Sequence, residues 1–489
     1  MKKILIINPP RFKGKNVRRD ERSADILESE VSPFYQGAVL AQYLRENNNF
    51  EAVVLDANGF DYDFSQIQKF VEENKGADLA VIKAADDTLF HDVKAAKICR
   101  ERGITTMLWE PVLSPAEPEK VLRIINKNSQ AVDYLILGEA ELTVSDFIKN
   151  GEAALGIAYF KNDQLIINRR EEKDRLDDLN KLPIPSFNDL PVKNYKSWFG
   201  AKPWMTLFTS RGCSGNCNYC LIGGSTVFRG YGKKIRLMSA ERVLREAKIL
   251  INDYGVKHIT FWDDCFTLDR QRVIDFCELI KKEKIIFKWS CMARVDTVDD
   301  ELLLKMREAG LTRIGFGIES GSQKILDSIP KRVTVAQNYQ AVKLAKKHGL
   351  WVFIYIIVGL PEEDWQSVKE TIKFIKKSKP NFLFLGCSTA FPGTINFDNC
   401  LRNKLLKVDI SRAIMENKII TGSKSSAASK YMSVEEIEEA KFKIHRAFLF
   451  SSWSVLLAKI INNFYRLSPS YVWQKFKYFI LGIHEDIDS

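Results

Sequence analysis

The sequence of 489 residues predicts an α/β protein in three parts: a doubly wound parallel sheet, an incomplete parallel barrel and a helical C-terminal region. Short apolar runs alternate with helical periodicity over residues 3–150, and the same alternation returns over residues 204–385. Strand–helix alternation at this spacing is typical of parallel sheets that are covered by helices. Beyond about residue 399 the strand pattern stops, and the rest of the chain is mostly helical in pattern.

The first part, residues 1–150, predicts an open sheet with a ligand crevice along one edge. Apolar runs predict its strands at residues 3–7, 52–56, 79–83, 105–109 and 134–137. Apolar residues at helical spacing predict the helices between them, at residues 35–46, 65–74, 90–102 and 117–126. Ligands of such sheets bind beyond the carboxyl ends of the strands, which here include Asn8, Asp56, Ala84 and Gly138.

The second part follows a segment of weaker periodicity, residues 151–196, which we predict to be a linker that can pack as a small strand unit. Residues 197–399 predict barrel strands at residues 204–209, 258–262, 288–292, 313–318, 351–358 and 382–385. Helices are predicted between them at residues 240–253, 270–282, 299–308, 335–348 and 365–377. A closed barrel needs eight strand–helix units, so we expect a partial barrel with its active site at the carboxyl ends of the strands. Residues 400–489 are predicted to be a helical C-terminal region.

The composition excludes several classes of protein. With 45% hydrophobic and 28% charged residues, the chain is neither collagen-like, low in complexity nor wholly disordered. No apolar stretch reaches the roughly 20 residues of a membrane-spanning helix, and the first residues lack a signal-peptide pattern, so we expect a cytoplasmic protein. The net charge of +11 suits an acidic substrate, an anionic membrane surface, nucleic acid, or no specific partner.

Three cysteines follow the first predicted barrel strand at close spacing. Cys213, Cys217 and Cys220 are separated by three and then by two residues. Three thiolates on one loop can hold three irons of a 4Fe–4S cluster and leave the fourth iron open to a small molecule. A structural zinc site would need a fourth nearby ligand, and a redox pair of Cys217 and Cys220 would leave Cys213 unexplained. The spacing therefore predicts an iron–sulfur cluster on this loop.

This triplet, with Tyr219 before its last cysteine, resembles the signature of the radical S-adenosylmethionine (radical SAM) enzymes. The resemblance continues at the ends of the next four predicted strands, in the segments Phe-Trp-Asp-Asp-Cys-Phe (261–266), Cys-Met-Ala-Arg-Val-Asp (291–296), Gly-Phe-Gly-Ile-Glu-Ser-Gly (315–321) and Val-Gly-Leu-Pro-Glu-Glu (358–363). It covers residues 203–391. Together with the N-terminal sheet, the arrangement resembles the cobalamin-binding subfamily of these enzymes.

The resemblance implies that SAM chelates the open iron and that one-electron reduction of the cluster cleaves SAM to a deoxyadenosyl radical. Asp263 or Asp264 is then expected to meet the SAM ammonium, and Arg294 its carboxylate. Glu319 is expected to meet the ribose hydroxyls or the amino group. The alternative roles are capping of the following helix by the two aspartates and a surface ion pair between Arg294 and Asp296.

Two further kinds of residue complete the SAM site that the resemblance implies. Tyr219 is expected beside the cofactor, because it belongs to the cysteine signature itself. Gly359 is expected to contact SAM, and Gly315, Gly317 and Gly359 would let the backbone approach the ligand closely.

The same resemblance implies a cobalamin site at the edge of the N-terminal sheet, with residues 83–90 as the floor under the corrin. The expected cobalamin contacts are Asn8, Pro9, Ala84, Gly138 and Glu139. No Asp-x-His-x-x-Gly motif occurs, so no protein imidazole is expected below the cobalt unless His91 supplies it. Residues 109–112 read Trp-Glu-Pro-Val where many members have a Gly-Gly-Pro-His-like loop. The alternative is an N-terminal domain that only shapes the substrate channel.

The C-terminal region mixes aromatic with basic residues between residues 441 and 481. Such a mixture suits an interfacial helix on a membrane or lipid, helices packed over the edge of the barrel, or a surface that stacks on nucleic-acid bases.

These patterns lead to one predicted activity and two alternatives. We predict cobalamin-dependent methyl transfer to an unactivated carbon of a small molecule or lipid, with a flavodoxin or ferredoxin as electron donor. The first alternative is cyclisation, ring contraction or oxidation of a lipid or tetrapyrrole without methyl transfer. The second is a nucleic-acid-binding module with a structural metal.

Overall fold

The computed structural model describes residues 2–19, 24–27, 30–48, 50–225, 234–409 and 425–451. Among these residues the first sheet, called the N-terminal sheet below, has seven strands. In spatial order they are Glu51–Asp56, Lys3–Asn8, Leu79–Lys83, Thr105–Trp109, Tyr134–Ile136, Ile157–Lys161 and Gln164–Asn168. The first five strands are parallel, which confirms the predicted fold class, and the last two are antiparallel.

The strand Lys3–Asn8 shows why the N-terminal sheet is doubly wound. Ile4 and Ile6 pack into one core and Leu5 and Ile7 into another, and all four side chains are fully buried. A parallel strand that is covered on both faces has a continuous apolar sequence, as this one does. The covering helices are Tyr35–Asn48, Ala57–Phe60, Phe64–Glu73, Leu89–Arg100, Leu113–Ala116, Pro118–Ser129 and Ala140–Asn150.

The segment predicted as a linker begins with a β-hairpin, which extends the N-terminal sheet beyond residue 150. Ile157–Lys161 pairs with Tyr134–Ile136 and with Gln164–Asn168. Asn162 and Asp163 form the two-residue turn with φ of +48° and +62°, the left-handed backbone that tight hairpin turns require.

A second hairpin, formed by Asn16–Arg19 and Ala24–Leu27, was not predicted from the sequence. Its strands have four residues each and contain charges, so they lack the apolar alternation that indicates a strand. Arg19 is fully buried and pairs with the buried carboxylate of Asp92 at 2.7 Å. Its neighbour Arg18 lies with its guanidinium 4.6 Å from the Trp262 ring of the barrel. This hairpin therefore contacts both sheets.

The second large sheet, called the barrel sheet below, has six parallel strands in chain order within the described residues. They are Trp204–Leu207, His258–Phe261, Lys288–Ala293, Leu311–Glu319, Trp351–Val358 and Phe382–Cys387. The helices that follow them are Ala240–Asn252, Arg270–Lys282, Asp300–Glu308, Gln323–Ser328, Val335–Lys347 and Trp365–Ser378. The predicted partial barrel is confirmed, and the short helix Gln323–Ser328 is an addition to the prediction.

The C-terminal region contains two described helices, Ile395–Arg402 and Val434–Phe450. The second packs against the helix Trp365–Ser378 and the last barrel strand, and the Trp365 indole donates a hydrogen bond to Glu436. Most of the aromatic and basic residues on which the membrane, lipid and nucleic-acid interpretations depend lie at 452–489, outside the described residues. Within the described ranges, no helix has the length and apolar character needed to cross a bilayer.

Candidate active site

The three cysteines lie on one loop, residues 213–220, which we call the cysteine loop. It follows the first barrel strand and a two-residue strand, Ser210–Arg211, that pairs with Arg236–Leu237. The Cys213 sulfur lies 3.4 Å from the amide nitrogen of Gly215, and the Cys220 sulfur lies 3.4 Å from that of Ile222. Amide donors that point at sulfur stabilise a thiolate, so the loop backbone suits metal-bound cysteines.

Glycines on and after the cysteine loop let the backbone pack closely around it. A Cβ on Gly215 would lie 3.4 Å from the Cys213 sulfur and 3.7 Å from the Cys217 sulfur, so both thiols border the same small space. A Cβ on Gly223 or Gly224 would lie 2.1 Å from a carbonyl oxygen of the loop. Sequence reasoning missed this Gly-Gly pair, although its position directly after the triplet was a usable signal.

The chemistry of the three thiols fits iron–sulfur ligation. Burial raises the pKa of Cys213 and Cys217 and raises that of Cys220 to about 12, so the metal-free thiols are protonated and must lose protons to bind iron. In the part of the chain that the structure describes, no three His, Cys, Asp or Glu side chains converge on a point where one metal ion could bind. A 4Fe–4S cluster does not need such convergence, because each thiolate binds a different iron.

Asp263 supports the chain that leads into the cysteine loop, and its expected contact with SAM stays a prediction. Its side chain is fully buried and accepts hydrogen bonds from the Thr209 amide, at 2.6 Å, and the Ser210 amide, at 2.9 Å. It also accepts one from the Thr209 hydroxyl and faces Arg272, which is 3.7 Å away. Because both carboxylate oxygens are engaged, Asp263 fixes the chain where it enters the loop.

Asp264 and Arg294 lie next to the cysteine loop. Asp264 is half-buried, and its charge contributes to the raised pKa of Cys213 and Cys220 after the larger effect of burial. Arg294 lies so close to Gly215 that a Cβ there would be 3.4 Å from the arginine Nη1. The same guanidinium pairs with Asp296 at 2.7 Å. Arg294 therefore forms the ion pair that was the alternative prediction and also lies beside the cysteine loop.

Glu319 ends the fourth barrel strand in an unusual conformation. Its φ is +62°, and the strand register shifts between Gly317 and Glu319. Non-glycine residues with positive φ are strained and concentrate at functional sites. Its buried carboxylate pairs with Lys331 at 2.5 Å. Burial, followed by the charges of Glu319 and Cys217, raises the pKa of the Tyr219 hydroxyl well above its usual value, so Tyr219 joins Glu319 to the cysteine loop.

The three glycines expected to approach SAM are also closely packed within the protein. A Cβ on Gly359 would lie 2.9 Å from Ile437 of the C-terminal helix, and the Gly359 amide donates a hydrogen bond to Glu363. A Cβ on Gly315 would lie 2.7 Å from the Met292 sulfur, and one on Gly317 would lie 2.5 Å from a Glu319 oxygen. The expected contact between Gly359 and SAM stays a prediction.

At the edge of the N-terminal sheet, two of the expected cobalamin contacts are engaged within the protein. Asn8 is buried and donates a hydrogen bond to Asp56 at 2.6 Å. Glu139 is buried and pairs with Arg236 at 2.5 Å, so it joins the N-terminal sheet to the barrel. Both side chains therefore have a structural role within the protein, and their contact with cobalamin stays a prediction.

The other expected cobalamin contacts are Pro9, Ala84 and Gly138, which have no polar side chain. The Pro9 carbonyl accepts a hydrogen bond from Arg19 at 3.0 Å. Ala84 is fully buried, and Gly138 has a φ of +130°, which favours glycine. Ala84 directly follows the strand Leu79–Lys83, and Gly138 lies two residues after the strand Tyr134–Ile136, where small residues allow a ligand to approach.

His91 and Glu110 also lie near this edge of the N-terminal sheet, and both contact other groups of the protein. The His91 ring packs between Phe12 and Phe64 and lies 3.3 Å from the Pro10 carbonyl oxygen, so it is not oriented as a free imidazole. Glu110, in the turn after the fourth parallel strand, is fully buried and accepts hydrogen bonds from the amides of residues 112–114. In that turn the glutamate binds amides that a ligand could otherwise use.

Comparison with known proteins identifies the family. Residues 207–375 match the family described as the Radical SAM superfamily. Over 412 residues the chain is 31% identical to a protein of Pyrococcus horikoshii named an uncharacterized methyltransferase, and the match covers 83% of this chain and 84% of that protein. The chain belongs to the radical SAM superfamily. This radical SAM chain is therefore an enzyme, and the cofactors of its family are a 4Fe–4S cluster and SAM.

Other relatives and solved structures resemble this radical SAM enzyme more distantly. It is 25% identical to the anaerobic magnesium-protoporphyrin IX monomethyl ester cyclase of Rubrivivax gelatinosus, across 73% of this chain and 64% of the cyclase. Its fold resembles that of the cobalamin-dependent radical SAM enzyme OxsB, with a TM-score of 0.70, 17% identity and coverage of 99% and 71% of the two chains. The fold also resembles that of the methyltransferase TsrM of Kitasatospora setae with cobalamin and a [4Fe-4S] cluster bound, with a TM-score of 0.65 and 13% identity. That match covers 82% of this chain and 78% of the TsrM chain.

Proposed function

We propose that Cys213, Cys217 and Cys220 hold the 4Fe–4S cluster and that the chain cleaves SAM there to start radical chemistry. The observation that carries this proposal is the placement of three thiols on one glycine-lined loop at the carboxyl end of the first barrel strand. When bound, the cluster supplies the electron that cleaves SAM. The chain binds and orients SAM and keeps water away from the reacting carbon.

The charged side chains around the cysteine loop suit a zwitterionic ligand. We assign Arg294 to the SAM carboxylate, because its guanidinium lies beside Gly215 on the loop. We assign Asp264 and Glu319 to the ammonium or the ribose hydroxyls, because each contributes negative charge close to the thiols. Charge-assisted hydrogen bonds of this kind are stronger than neutral ones, so a few of them can fix the SAM orientation.

Methyl transfer to an unactivated carbon is the reaction that we favour. The support for it is the methyltransferase name of the Pyrococcus relative and the likeness of the fold to OxsB and TsrM. We propose that cobalamin binds at the edge of the N-terminal sheet near Pro9, Ala84 and Gly138, without a protein imidazole. A flavodoxin or ferredoxin is the proposed electron donor.

The wall of the barrel favours a substrate with apolar groups. Tyr355 and Phe384 stack face to face with ring centres 4.6 Å apart, and the Tyr355 hydroxyl lies 3.6 Å from the Met292 sulfur. Met292 is the penultimate residue of the strand Lys288–Ala293, and Arg294 is the first residue after that strand. Because the Rubrivivax relative is a cyclase, ring formation on a tetrapyrrole or lipid is the second candidate reaction.

Anaerobic reconstitution tests these proposals. The wild-type chain should hold about four irons and convert SAM to deoxyadenosine when reduced. Cys217→Ala should lose both properties, whereas Cys277→Ala, a change at another buried cysteine of the barrel region, should keep them. Cleavage of SAM by the Cys217 variant would refute the cluster assignment. Bound corrin and S-adenosylhomocysteine among the products would support methyl transfer, and their absence would favour the second candidate.

A further inference from the structure

Lys331 occupies a central position beside the cysteine loop, although no motif in the sequence drew attention to it. It follows the short helix Gln323–Ser328 and is only 5% exposed. Its ammonium lies 2.5 Å from a Glu319 oxygen and 2.5 Å from the Gly317 carbonyl oxygen. A buried lysine requires such partners, because an unpaired buried charge is costly.

The backbone of the same residue holds a second charged group. The Lys331 carbonyl accepts a hydrogen bond from Arg294 at 2.8 Å. Arg294 directly follows the strand Lys288–Ala293, and Glu319 is the last residue of the neighbouring strand Leu311–Glu319. Lys331 therefore contacts, through its two ends, the two side chains of opposite charge that border the cysteine loop.

The local structure is built to accommodate this lysine. A Cβ on Gly317 would lie 2.8 Å from the ammonium and 2.5 Å from the Glu319 oxygen, so a side chain at this position would displace the ion pair. Glu319 reaches the ammonium from its strained backbone with positive φ. Such strain persists only where surrounding contacts hold the residue in place, and here the lysine supplies such a contact.

We infer that Lys331 is a positioning residue for SAM: its ammonium orients Glu319, and its carbonyl orients Arg294, so that the two side chains can bind the zwitterionic end of the cofactor together. This inference rests on the proposed function, because it requires SAM at the cysteine loop.

Lys331→Met tests the inference, because it removes the charge and leaves a side chain of similar length. The variant should keep its full iron content, while its dissociation constant for SAM, measured by equilibrium binding without reductant, should rise roughly 10- to 100-fold. The change in the electron paramagnetic resonance spectrum of the reduced cluster on adding SAM should weaken in parallel. Lys331→Gln keeps a hydrogen-bond donor, so its dissociation constant for SAM should lie between those of Lys331→Met and the wild type. If Lys331→Met does not fold, Lys331→Gln takes its place in the test.

Two controls make the result specific to position. Lys324→Met removes a more exposed lysine on the neighbouring helix and should leave SAM binding unchanged. In a double-mutant cycle, Lys331→Met should add little to the effect of Glu319→Gln, because both changes break the same ion pair. Additive effects, or unchanged affinity in folded Lys331→Met with full iron content, would overturn the inference alone. A wild-type chain that holds no cluster or binds no SAM would overturn the proposed function as well.

Discussion

Replacing Asp263 with asparagine removes the negative charge from a fully buried network below the cysteine loop. The native carboxylate accepts three hydrogen bonds, from the Thr209 and Ser210 amides and the Thr209 hydroxyl, and it faces the buried Arg272. Loss of one partner from a buried ion pair costs about 3–5 kcal/mol. The asparagine oxygen can still accept one of the amide hydrogen bonds, so we expect Asp263→Asn to lower the free energy of unfolding by about 3 kcal/mol.

Chemical denaturation of the metal-free protein, followed by tryptophan fluorescence, measures this loss as a lower midpoint. Asp264→Asn is the matched control, because Asp264 is adjacent but only half-buried. It should shift the midpoint much less and weaken SAM binding to the reconstituted protein. If Asp263→Asn were as stable as the wild type and bound SAM poorly, Asp263 would be a direct ligand and the interpretation of its burial would be wrong.

Two other changes test groups outside the cysteine loop. Burial raises the pKa of Glu363 to about 7 from its usual value of 4.5, so the folded chain holds this proton more tightly than the unfolded chain. The free energy of unfolding should therefore fall by roughly 3 kcal/mol as pH rises from about 4.5 to above 7. Glu363→Gln, compared with the wild type by denaturation at about pH 5 and pH 8, should lose this part of the pH dependence of stability. A variant with the same pH dependence as the wild type would exclude the Glu363 carboxyl as its source. Arg19→Met leaves the buried Asp92 without its counter-ion and should cost about 3–5 kcal/mol in the same assay. Arg123→Met, which breaks an exposed ion pair with Glu119, should cost less than about 1 kcal/mol, and equal losses would contradict the difference in burial.

Sequence patterns predicted the regular elements well because both sheets are parallel. Strands such as Lys3–Asn8 are buried on both faces and are therefore continuous apolar runs. The hairpin Asn16–Arg19 and Ala24–Leu27 escaped prediction, because tertiary ion pairs rather than an apolar face hold it. The extension of the N-terminal sheet by the linker hairpin depends on pairing between distant segments, which local periodicity does not contain.

The site shows the same division between local and distant information. The cysteine spacing is local, so the family was identified from it. Whether a charged side chain of the motif contacts a ligand or other protein groups depends on which residues pack against it. Asp263 and Asp264 are neighbours in sequence, yet only Asp263 is completely enclosed, because its side chain points at residues 209 and 210. Lys331 was overlooked because its partners, Glu319 and Arg294, lie 12 and 37 residues away along the chain.

The ion pairs of Glu139 and Glu141 restrict how this barrel can be reused in protein engineering. Arg236 pairs with Glu139 at 2.5 Å and Arg211 with Glu141 at 2.7 Å, and both arginines belong to the small strand pair that leads into the cysteine loop. If the barrel alone were fused to a foreign N-terminal domain, the guanidinium groups of Arg211 and Arg236 would lose their counter-ions. Recombination at this boundary therefore needs a transferred segment that carries Glu139 and Glu141 together with the cysteine loop.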